Sequence, residues 1–239
     1  MKIMLDLHVH SAASPDGRMR LDEIVRAARA RGLNAVAVTD HDVTLTDAPS
    51  YDGFLIIPGC EFSTEHGHLL GLFLREPIPK LPFAETVDAI HAQGGLAVLA
   101  HPFERSRDAK RLEPLVGMLD GVEVRNGRAE RKIRDANTLA LDFAQAHGMR
   151  QFAGSDAHLP GEVGAVSLTL DVPALTLPAV REALLSAEVT INGSGRSASL
   201  NVARSQYTKL KKVRARPAAY AKWLLFAAKC AAEDLFRRN

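Results

Sequence analysis

Short apolar runs alternate along the chain with segments in which apolar residues recur at helical spacing. The first run ends at His10, and the later ones cover 34–39, 54–58, 66–74, 96–100, 121–124, 151–153, 165–170 and 188–191. Helical spacing covers 21–31, 83–93, 129–147 and 176–187. Strands that alternate with helices form right-handed βαβ units and a mainly parallel sheet. The pattern predicts an α/β fold, and 239 residues are within the range of one α/β barrel.

The first run ends in the sequence Asp6-Leu7-His8-Val9-His10. Side chains of an extended strand alternate between its faces, so Asp6, His8 and His10 are expected on one face and the intervening apolar residues on the other. Two imidazoles on one face offer two nitrogen ligands to a metal ion. A pair of strand histidines without a metal is the alternative, because a motif this short also occurs by chance.

Polar residues follow the other predicted strands in the same way. In parallel sheets and barrels, ligands bind at the carboxyl ends of the strands. Asp156 and His158 repeat the alternating spacing of His8 and His10. So many metal-competent groups at one end of the sheet predict a metal site. The residues at these ends are His10, His41, Glu61, His101, Asn126, Asp156 and His158.

Charge is divided unevenly along the chain. The net charge is +2, but residues 197–239 contain ten Lys and Arg residues against two acidic residues, a balance of +8, which leaves −6 for the rest. An acidic body can hold cations, and a basic tail can contact RNA or another polyanion. Two distant cysteines and the absence of a signal-peptide pattern at the N-terminus lead us to expect a reducing, cytoplasmic location.

Residues 217–236 of the basic tail favour a helix. Lys222 and Lys229 interrupt its apolar run, so we expect no membrane span. Packing against the barrel or a second subunit is the simpler interpretation, and contact with a membrane surface or nucleic acid is the alternative. The apolar stripe expected to make such contacts consists of Tyr220, Trp223, Leu224, Ala227, Cys230 and Ala231.

Seven motifs together resemble the polymerase-and-histidinol-phosphatase (PHP) family of metal-dependent phosphoesterases. They are DLHVHSAASPDG, AVTDHD, IPGCE, GHLLGL, LAHP, GVEVRNGR and GSDAH, between residues 6 and 158. The resemblance implies a distorted (β/α)7-type barrel with a metal cluster at the carboxyl ends of its strands. We therefore expect a PHP-like domain at 1–196 and a basic, partly helical extension at 197–239.

The resemblance also implies a role for each matching residue. By motif position, His8, His10, Glu61 and Asp156 resemble ligands of a first metal, and Glu61 and His101 resemble ligands of a second. Asp16, His41 and His158 resemble ligands of a third. The expected cofactors are two or three divalent ions of zinc, manganese or iron. The expected catalytic residues are His8, His10, Glu61, His101, Asp156 and His158.

One departure from the family pattern concerns the second metal. Many members place a His or Cys after the strand that resembles GVEV, whereas Arg125-Asn126-Gly127-Arg128 stands here. Asn126, water or substrate phosphate would then complete that site. Arg18, Arg125 and Arg128 are candidates to bind substrate phosphate, although surface solvation is an equal alternative for each.

Hydrolysis of phosphate esters is the expected activity, because divalent cations bind phosphoryl oxygens and lower the pKa of water. The resemblance implies small phosphomonoesters or nucleotides, including nucleoside 3′,5′-bisphosphates and the 5′ ends of short RNA. A histidinol-phosphate-type phosphatase is one alternative. A non-catalytic module that keeps the fold for docking is another. Asp6, Asp40, Glu123 and His68 are expected to hold the ligating side chains in position.

Overall fold

The computed structural model describes residues 1–193 and 197–236. Nine strands form one sheet in the order β7-β6-β5-β4-β3-β2-β1-β8-β9. The strands are β1 (Lys2–Val9), β2 (Ala35–Val38), β3 (Leu55–Thr64), β4 (Gly67–Leu72), β5 (Leu96–Leu99), β6 (Gly121–Asn126), β7 (Gln151–Gly154), β8 (Ser167–Asp171) and β9 (Thr190–Asn192). The helices are α1 (Leu21–Ala30), α2 (Phe83–Ala92), α3 (Ala136–Ala146), α4 (Leu177–Ser186), α5 (Ser199–Lys212) and α6 (Pro217–Phe236).

Strands β1 to β7 curve into a nearly closed barrel, as the α/β prediction and the resemblance implied. The ends meet where the His10 N–H donates to the Ala157 carbonyl at 2.8 Å and the Ala157 N–H donates to the His8 carbonyl at 3.3 Å. Gly154 makes this approach possible, because a Cβ at that position would lie 2.3 Å from the His8 Cβ. The closure places the histidines of β1 beside the residues that follow β7.

The sheet is less parallel than predicted. Strands β1, β2 and β3 are parallel, and so are β5, β6 and β7, but β4 is antiparallel to both of its neighbours. Strands β8 and β9 extend the sheet beyond β1 as antiparallel strands. The β3–β4 connection is a hairpin, which needs no crossover helix. As a result, β3 continues through Glu61 to Thr64, and Glu61 lies inside a strand instead of after its end.

The predicted alternation along β1 holds for Leu5 and Leu7 and is wrong beyond them. The register between β1 and β2 shifts between Asp6 and Val9. Leu7 still packs with Leu5, in the buried cluster that also contains Val98, but Val9 packs in the cluster around α1. A register irregularity re-aims the side chains that follow it, so the two histidines reach the barrel mouth while Asp6 does not share their surroundings.

The predicted helix over 129–147 is shorter than expected. Residues Ala129–Arg131 form a 3₁₀ turn, and α3 begins at Ala136. The cause lies in Asn126, whose side-chain oxygen accepts hydrogen bonds from the backbone N–H groups of Arg128 and Ala129. An amide that binds nearby backbone in this way favours a turn over a helix.

The C-terminal helices α5 and α6 pack against each other beside the barrel mouth. The Trp223 indole N–H donates to the Ala203 carbonyl at 2.8 Å, and the Tyr220 hydroxyl donates to the Leu210 carbonyl at 3.1 Å. Within the predicted apolar stripe of α6, Cys230 is buried, but Leu224 is 61% exposed and does not belong to the contact. No helix of the described residues is both long enough and apolar enough to cross a membrane.

Part of the sequence prediction falls outside the described residues. The boundary between the predicted domains 1–196 and 197–239 falls at residue 196, outside the described residues. Arg237 and Arg238, which contribute to the charge of the tail, also lie outside them. The division into two domains stays a prediction.

Candidate metal centre

The residues at the ends of β1 and β7 meet inside the barrel mouth. The Nε2 atoms of His8 and His10 lie 3.1 Å apart. The Asp156 Oδ1 lies 3.3 Å from His10 Nε2 and 3.8 Å from His8 Nε2. Both histidine side chains are fully buried. The two alternating pairs of the sequence therefore present three ligand atoms to one point.

Glu61 is the centre of the arrangement. Its side chain is 1% exposed, and five imidazoles surround its two oxygens. The Oε2 atom lies 2.9 Å from His41 Nδ1, 3.3 Å from His10 Nε2 and 3.4 Å from His8 Nε2. The Oε1 atom lies 2.7 Å from His68 Nδ1 and 2.9 Å from His101 Nε2. One carboxylate is thus shared by imidazoles from four separate segments.

Asp16 joins the cluster on its solvent side. Its Oδ1 lies 3.3 Å from His158 Nε2, and its Oδ2 lies 3.7 Å from His41 Nε2. His10, His41 and His158 offer nitrogen atoms that all lie within 4.8 Å of one another. All eight residues predicted as metal ligands are therefore neighbours in the structure.

His68 is a member of the cluster that sequence reasoning placed only in a supporting role. It lies on the antiparallel strand β4, and its ring meets the ring of His101 edge to face at 5.2 Å between centroids. With His41 and Glu61 it forms another group of potential ligand atoms within 4.8 Å. His68 thus supplies an imidazole next to Glu61 and His101. The residues after β6, where many family members have a His or Cys, supply none. The GHLLGL motif contains His68, but the apolar pattern did not predict that this strand forms a hairpin with β3.

The side chains fit divalent transition metal ions. Four overlapping groups of three ligand atoms lie within 4.8 Å, and they combine imidazole nitrogen with carboxylate oxygen. Two of the buried atoms, Glu61 Oε2 and His68 Nδ1, have close neighbours but no hydrogen bond of acceptable geometry among the described residues. Buried polar atoms without hydrogen bonds are costly, and a shared cation satisfies them. The mixed donor set suits zinc, manganese or iron equally.

Glu123 holds two of the clustered residues in place. Its Oε1 lies 2.9 Å from His8 Nδ1, and its Oε2 accepts the backbone N–H of His101 at 2.9 Å. The Asn126 amide donates to the same Oε2 at 3.0 Å. A hydrogen bond at Nδ1 fixes the His8 ring and turns its Nε2 toward the cluster. The supporting role predicted for Glu123 agrees with this geometry.

Asp6 and Asp40 do not bind the imidazoles as expected. Asp6 accepts hydrogen bonds from the Ser155 hydroxyl at 2.5 Å and from the Gly164 backbone at 2.8 Å. Asp40 accepts from the Ser11 hydroxyl at 2.6 Å and from the Ser11 backbone at 2.7 Å. Each carboxylate instead hydrogen-bonds to a loop that carries proposed metal ligands. The serine hydroxyl and backbone N–H groups of these loops lie closer to the carboxylate than any imidazole does.

Burial and charge shift the pKa values of the clustered groups. Burial tends to raise the pKa of Glu61, but the surrounding imidazoles, His68 foremost, hold it well below its usual range. The pKa of Asp156 is also held well below its usual range, because its interactions with His8 and His10 outweigh the effect of its burial. Burial lowers the pKa of His10 to about 3, and the charge of His158 adds to the effect. The carboxylates thus stay ionised and His10 stays neutral at neutral pH, the states in which they bind cations.

Other histidines of the cluster have raised pKa values. Burial opposes the charge on His41, yet Glu61 and Asp16 outweigh it and raise its pKa to about 11. Burial likewise opposes protonation of His101, but the hydrogen bond with Glu61 and its charge raise the pKa to about 9. The pKa of the buried Asp6 is raised to about 6 by burial, despite its hydrogen bonds.

The predicted substrate-binding residues occupy different places. The Arg128 guanidinium borders the cluster, and it pairs with Glu162 at 2.6 Å and donates to the Ser205 hydroxyl at 2.9 Å. Arg125 donates to the Gly193 carbonyl at 3.4 Å, and Arg18 lines a separate cavity beside α1. Asn126 is 1% exposed and has its amide engaged within the protein. A role in substrate binding stays a prediction for all four.

Two of the cavities that border the cluster also reach the C-terminal helices. A cavity of about 170 Å³ is lined by Asp16, Glu61, Asp156 and other cluster residues together with Ser205 of α5. A second cavity of about 850 Å³ shares Asp16 and His41 with the first and extends between the barrel mouth and α5–α6. His91 lies outside the cluster, with its Nε2 2.9 Å from Asp120.

Comparison with known proteins agrees with this architecture. The family model of the PHP domain matches residues 6–165. An uncharacterized protein of Methanocaldococcus jannaschii is 35% identical over 137 residues, which are 51% of this chain and 80% of that protein. A 3′,5′-nucleoside bisphosphate phosphatase of Chromobacterium violaceum is 36% identical over 106 residues, which are 41% of this chain and 35% of the phosphatase.

A solved structure supports the fold. It is a two-domain protein of Bacteroides vulgatus that contains a predicted PHP-like metal-dependent phosphoesterase. The TM-score is 0.63 at 21% identity, over 89% of this chain and 70% of that one. At this identity the likeness concerns the fold alone.

Proposed function

The chain belongs to the PHP domain family and is a phosphoester hydrolase; on that premise we propose that it removes phosphate from nucleotides. The observation that supports the proposal is Glu61, which is shared by five imidazoles and lines the smaller cavity. The larger cavity, which shares Asp16 and His41 with the smaller one, is wide enough for more than a phosphate group. The similarity to a nucleoside bisphosphate phosphatase points to the same substrate class. Nucleoside 3′,5′-bisphosphates and the 5′ ends of short RNA are the substrates to test first.

Each proposed ligand keeps the role that its position indicates. His8, His10, Glu61 and Asp156 would hold one cation, while Glu61 and His101 would hold a second with His68 beside them. Asp16, His41 and His158 would hold a third. When bound, such cations neutralise phosphoryl oxygens and lower the pKa of a water molecule that attacks phosphorus.

The protein itself contributes orientation and charge. Glu123 receives a proton of His8 at Nδ1, and the Asp156 carbonyl accepts from His158 Nδ1 at 2.9 Å. Both rings therefore direct Nε2 toward the cluster. His8, His10 and Glu61 form a buried floor, whereas Asp16 and His41 remain partly exposed on the side from which a phosphate ester would enter.

A panel assay tests the activity. The purified protein with added Mn²⁺ should release inorganic phosphate from at least one mono-, bis- or oligonucleotide, and Asp156→Asn should lower kcat/KM by about a thousandfold or more. Including histidinol phosphate in the panel tests the alternative phosphatase. Inertness of the fully metal-loaded protein on every substrate would favour a docking module.

Metal analysis tests the ligand set separately. We expect about two or three transition metal ions per chain and a loss of bound metal in His8→Ala. His91→Ala is the matched control, because His91 lies outside the cluster on α2. Equal metal content in the two variants would contradict the proposed set.

A further inference from the structure

The larger cavity has walls of different origin. The barrel provides Asp16, His41 and His68, all of which belong to the cluster. The helices α5 and α6 provide the opposite wall. A volume of about 850 Å³ is typical of pockets for ligands much larger than phosphate. The C-terminal helices therefore border one of the routes by which a molecule can reach the cluster.

The helical wall carries free positive charge. Lys209 of α5 and Lys222 of α6 both line the cavity and are exposed, and neither ammonium group has a hydrogen-bond or ion-pair partner within residues 1–193 and 197–236. Arg105 of the barrel lines it as well, with Glu104 at 3.3 Å. Negative charge comes from Asp16 and from Asp42, whose carboxylate accepts the Ser63 N–H at 2.8 Å. The two lysines lie on the helical wall, opposite the clustered residues of the barrel.

Aromatic rings stand next to these lysines. Trp223 is fixed by its hydrogen bond to the Ala203 carbonyl and by the neighbouring ring of Tyr207, 4.7 Å away between centroids. Phe226 has the Arg131 guanidinium 5.1 Å from the centre of its ring. Both rings also line the cavity. Anchored aromatic rings beside lysines are the usual composition of a surface on which nucleobases stack.

We propose that α5 and α6 form the part of the site that selects the leaving group, and that it binds a nucleotide unit carrying a second phosphate. The base lies against Trp223 and Phe226, and the second phosphate lies near Lys209 and Lys222. The inference rests on the proposed phosphatase activity at the cluster. The same chemistry is present in a free nucleoside bisphosphate and in the first nucleotides of a 5′-phosphorylated strand.

The test compares substrates that differ only in what the helices would contact. They are adenosine 3′,5′-bisphosphate, adenosine 5′-monophosphate, ribose 5-phosphate and a 5′-phosphorylated trinucleotide. Removal of both lysines (Lys209→Ala with Lys222→Ala) should lower the ratio of kcat/KM for the bisphosphate to that for the monophosphate by about tenfold. Phe226→Leu should lower the ratio for adenosine 5′-monophosphate to ribose 5-phosphate by about threefold.

The matched control is Lys229→Ala, which removes the same charge from α6 at a residue that does not line the cavity and that pairs with Glu233. It should leave both ratios unchanged. Comparison of the bisphosphate with the trinucleotide separates the two sources: a lower salt dependence of KM in the double variant for the trinucleotide alone would identify a strand end as the ligand.

The outcomes separate this inference from the activity on which it depends. If the wild-type protein hydrolyses nucleotides but the double variant keeps the wild-type ratios, the helices do not select the leaving group and the inference is overturned. If the wild-type protein hydrolyses no nucleotide, the proposed function fails first. Circular dichroism of each variant confirms that altered ratios come from folded protein.

Discussion

The barrel mouth and the C-terminal helices build the two sides of one cavity by different means. At the mouth, His8 and His10 are fully buried, Glu61 is 1% exposed, and backbone pairs between β1 and the residues after β7 fix them. Across the cavity, α6 leaves Leu224 61% and Leu225 76% exposed and packs mainly on α5.

The two sides therefore differ in their requirements. The barrel mouth requires fixed side-chain positions, whereas the helical side tolerates changes of side chain. Metal ligands tolerate little displacement, and most of the proposed ligands stand on strands or within a few residues of a strand end. A surface that selects among leaving groups can change side chains with little effect on the core, because few of its residues are buried. The comparison predicts that substitutions at the mouth affect stability and metal binding together. Substitutions on α5–α6 should not, except at Lys212, which contacts the loop that carries Asp16.

The largest effect is expected where the barrel closes. Gly154→Ala adds a Cβ 2.3 Å from the His8 Cβ, which displaces β7 or the histidine. We expect a loss of about 3 kcal/mol in the free energy of unfolding and a fall of roughly 10 °C in Tm. Gly117→Ala is the control, because no atom lies within 4 Å of the added Cβ there. Thermal unfolding measures the Tm of the two variants. Equal Tm values would contradict the contrast drawn between the barrel mouth and the C-terminal helices.

A smaller effect is expected beneath the cluster. Glu123→Gln replaces one of two acceptor oxygens with an amide, so either His8 or the His101 backbone loses its partner. Metal affinity should fall by about 10-fold to 100-fold, because such partners orient the ligating ring. Competition with a chromogenic chelator measures the affinity. Glu85→Gln, on the exposed side of α2, should bind metal as the wild type does.

A third prediction concerns the contact between the two regions. The Lys212 ammonium of α5 donates to the carbonyls of Ala12, Ser14 and Gly17 at 2.6–2.8 Å, within the loop that carries Asp16. Lys212→Met should weaken the binding of one metal ion by about fivefold, because three charge-assisted hydrogen bonds restrain that loop. Lys211→Met is the neighbouring control. Isothermal titration with Mn²⁺ measures both, and an unchanged affinity in Lys212→Met would separate the helices from the cluster entirely.

The smallest effect is expected on the outer face of α6. Leu225→Ser removes an apolar side chain that is already 76% exposed. The free energy of unfolding should change by no more than about 0.5 kcal/mol. A fall of many degrees in Tm would indicate that α6 is buried in an assembly and would contradict the contrast between the two regions.

The cluster was largely predictable because its members follow strand ends. His8, His10, Asp156 and His158 stand in alternating pairs directly after apolar runs, and the barrel brings such ends together. Glu61 was recognised by its motif but placed after a strand, because the hairpin that extends β3 leaves no distinct signal in the apolar pattern.

Other features were not readable because they depend on contacts between distant segments. The register shift in β1 follows from its pairing, and no local residue announces it. The cluster position of His68 depends on the antiparallel β4, and the engagement of Arg128 depends on Glu162 and Ser205. The late start of the helix predicted over 129–147 follows from one side chain, Asn126, which accepts hydrogen bonds from the backbone N–H groups of Arg128 and Ala129.

The Lys212 contact also implies an order in which parts of the site form during synthesis. A ribosome releases a chain from its N-terminus, so all nine clustered side chains emerge before residue 212 does. The loop of residues 11–17 therefore lacks its three hydrogen bonds from Lys212 while the barrel is already able to close. During synthesis this loop is first held by its hydrogen bonds to Asp40, without those from Lys212, and the segment that carries Asp16 gains these last three restraints when α5 has formed.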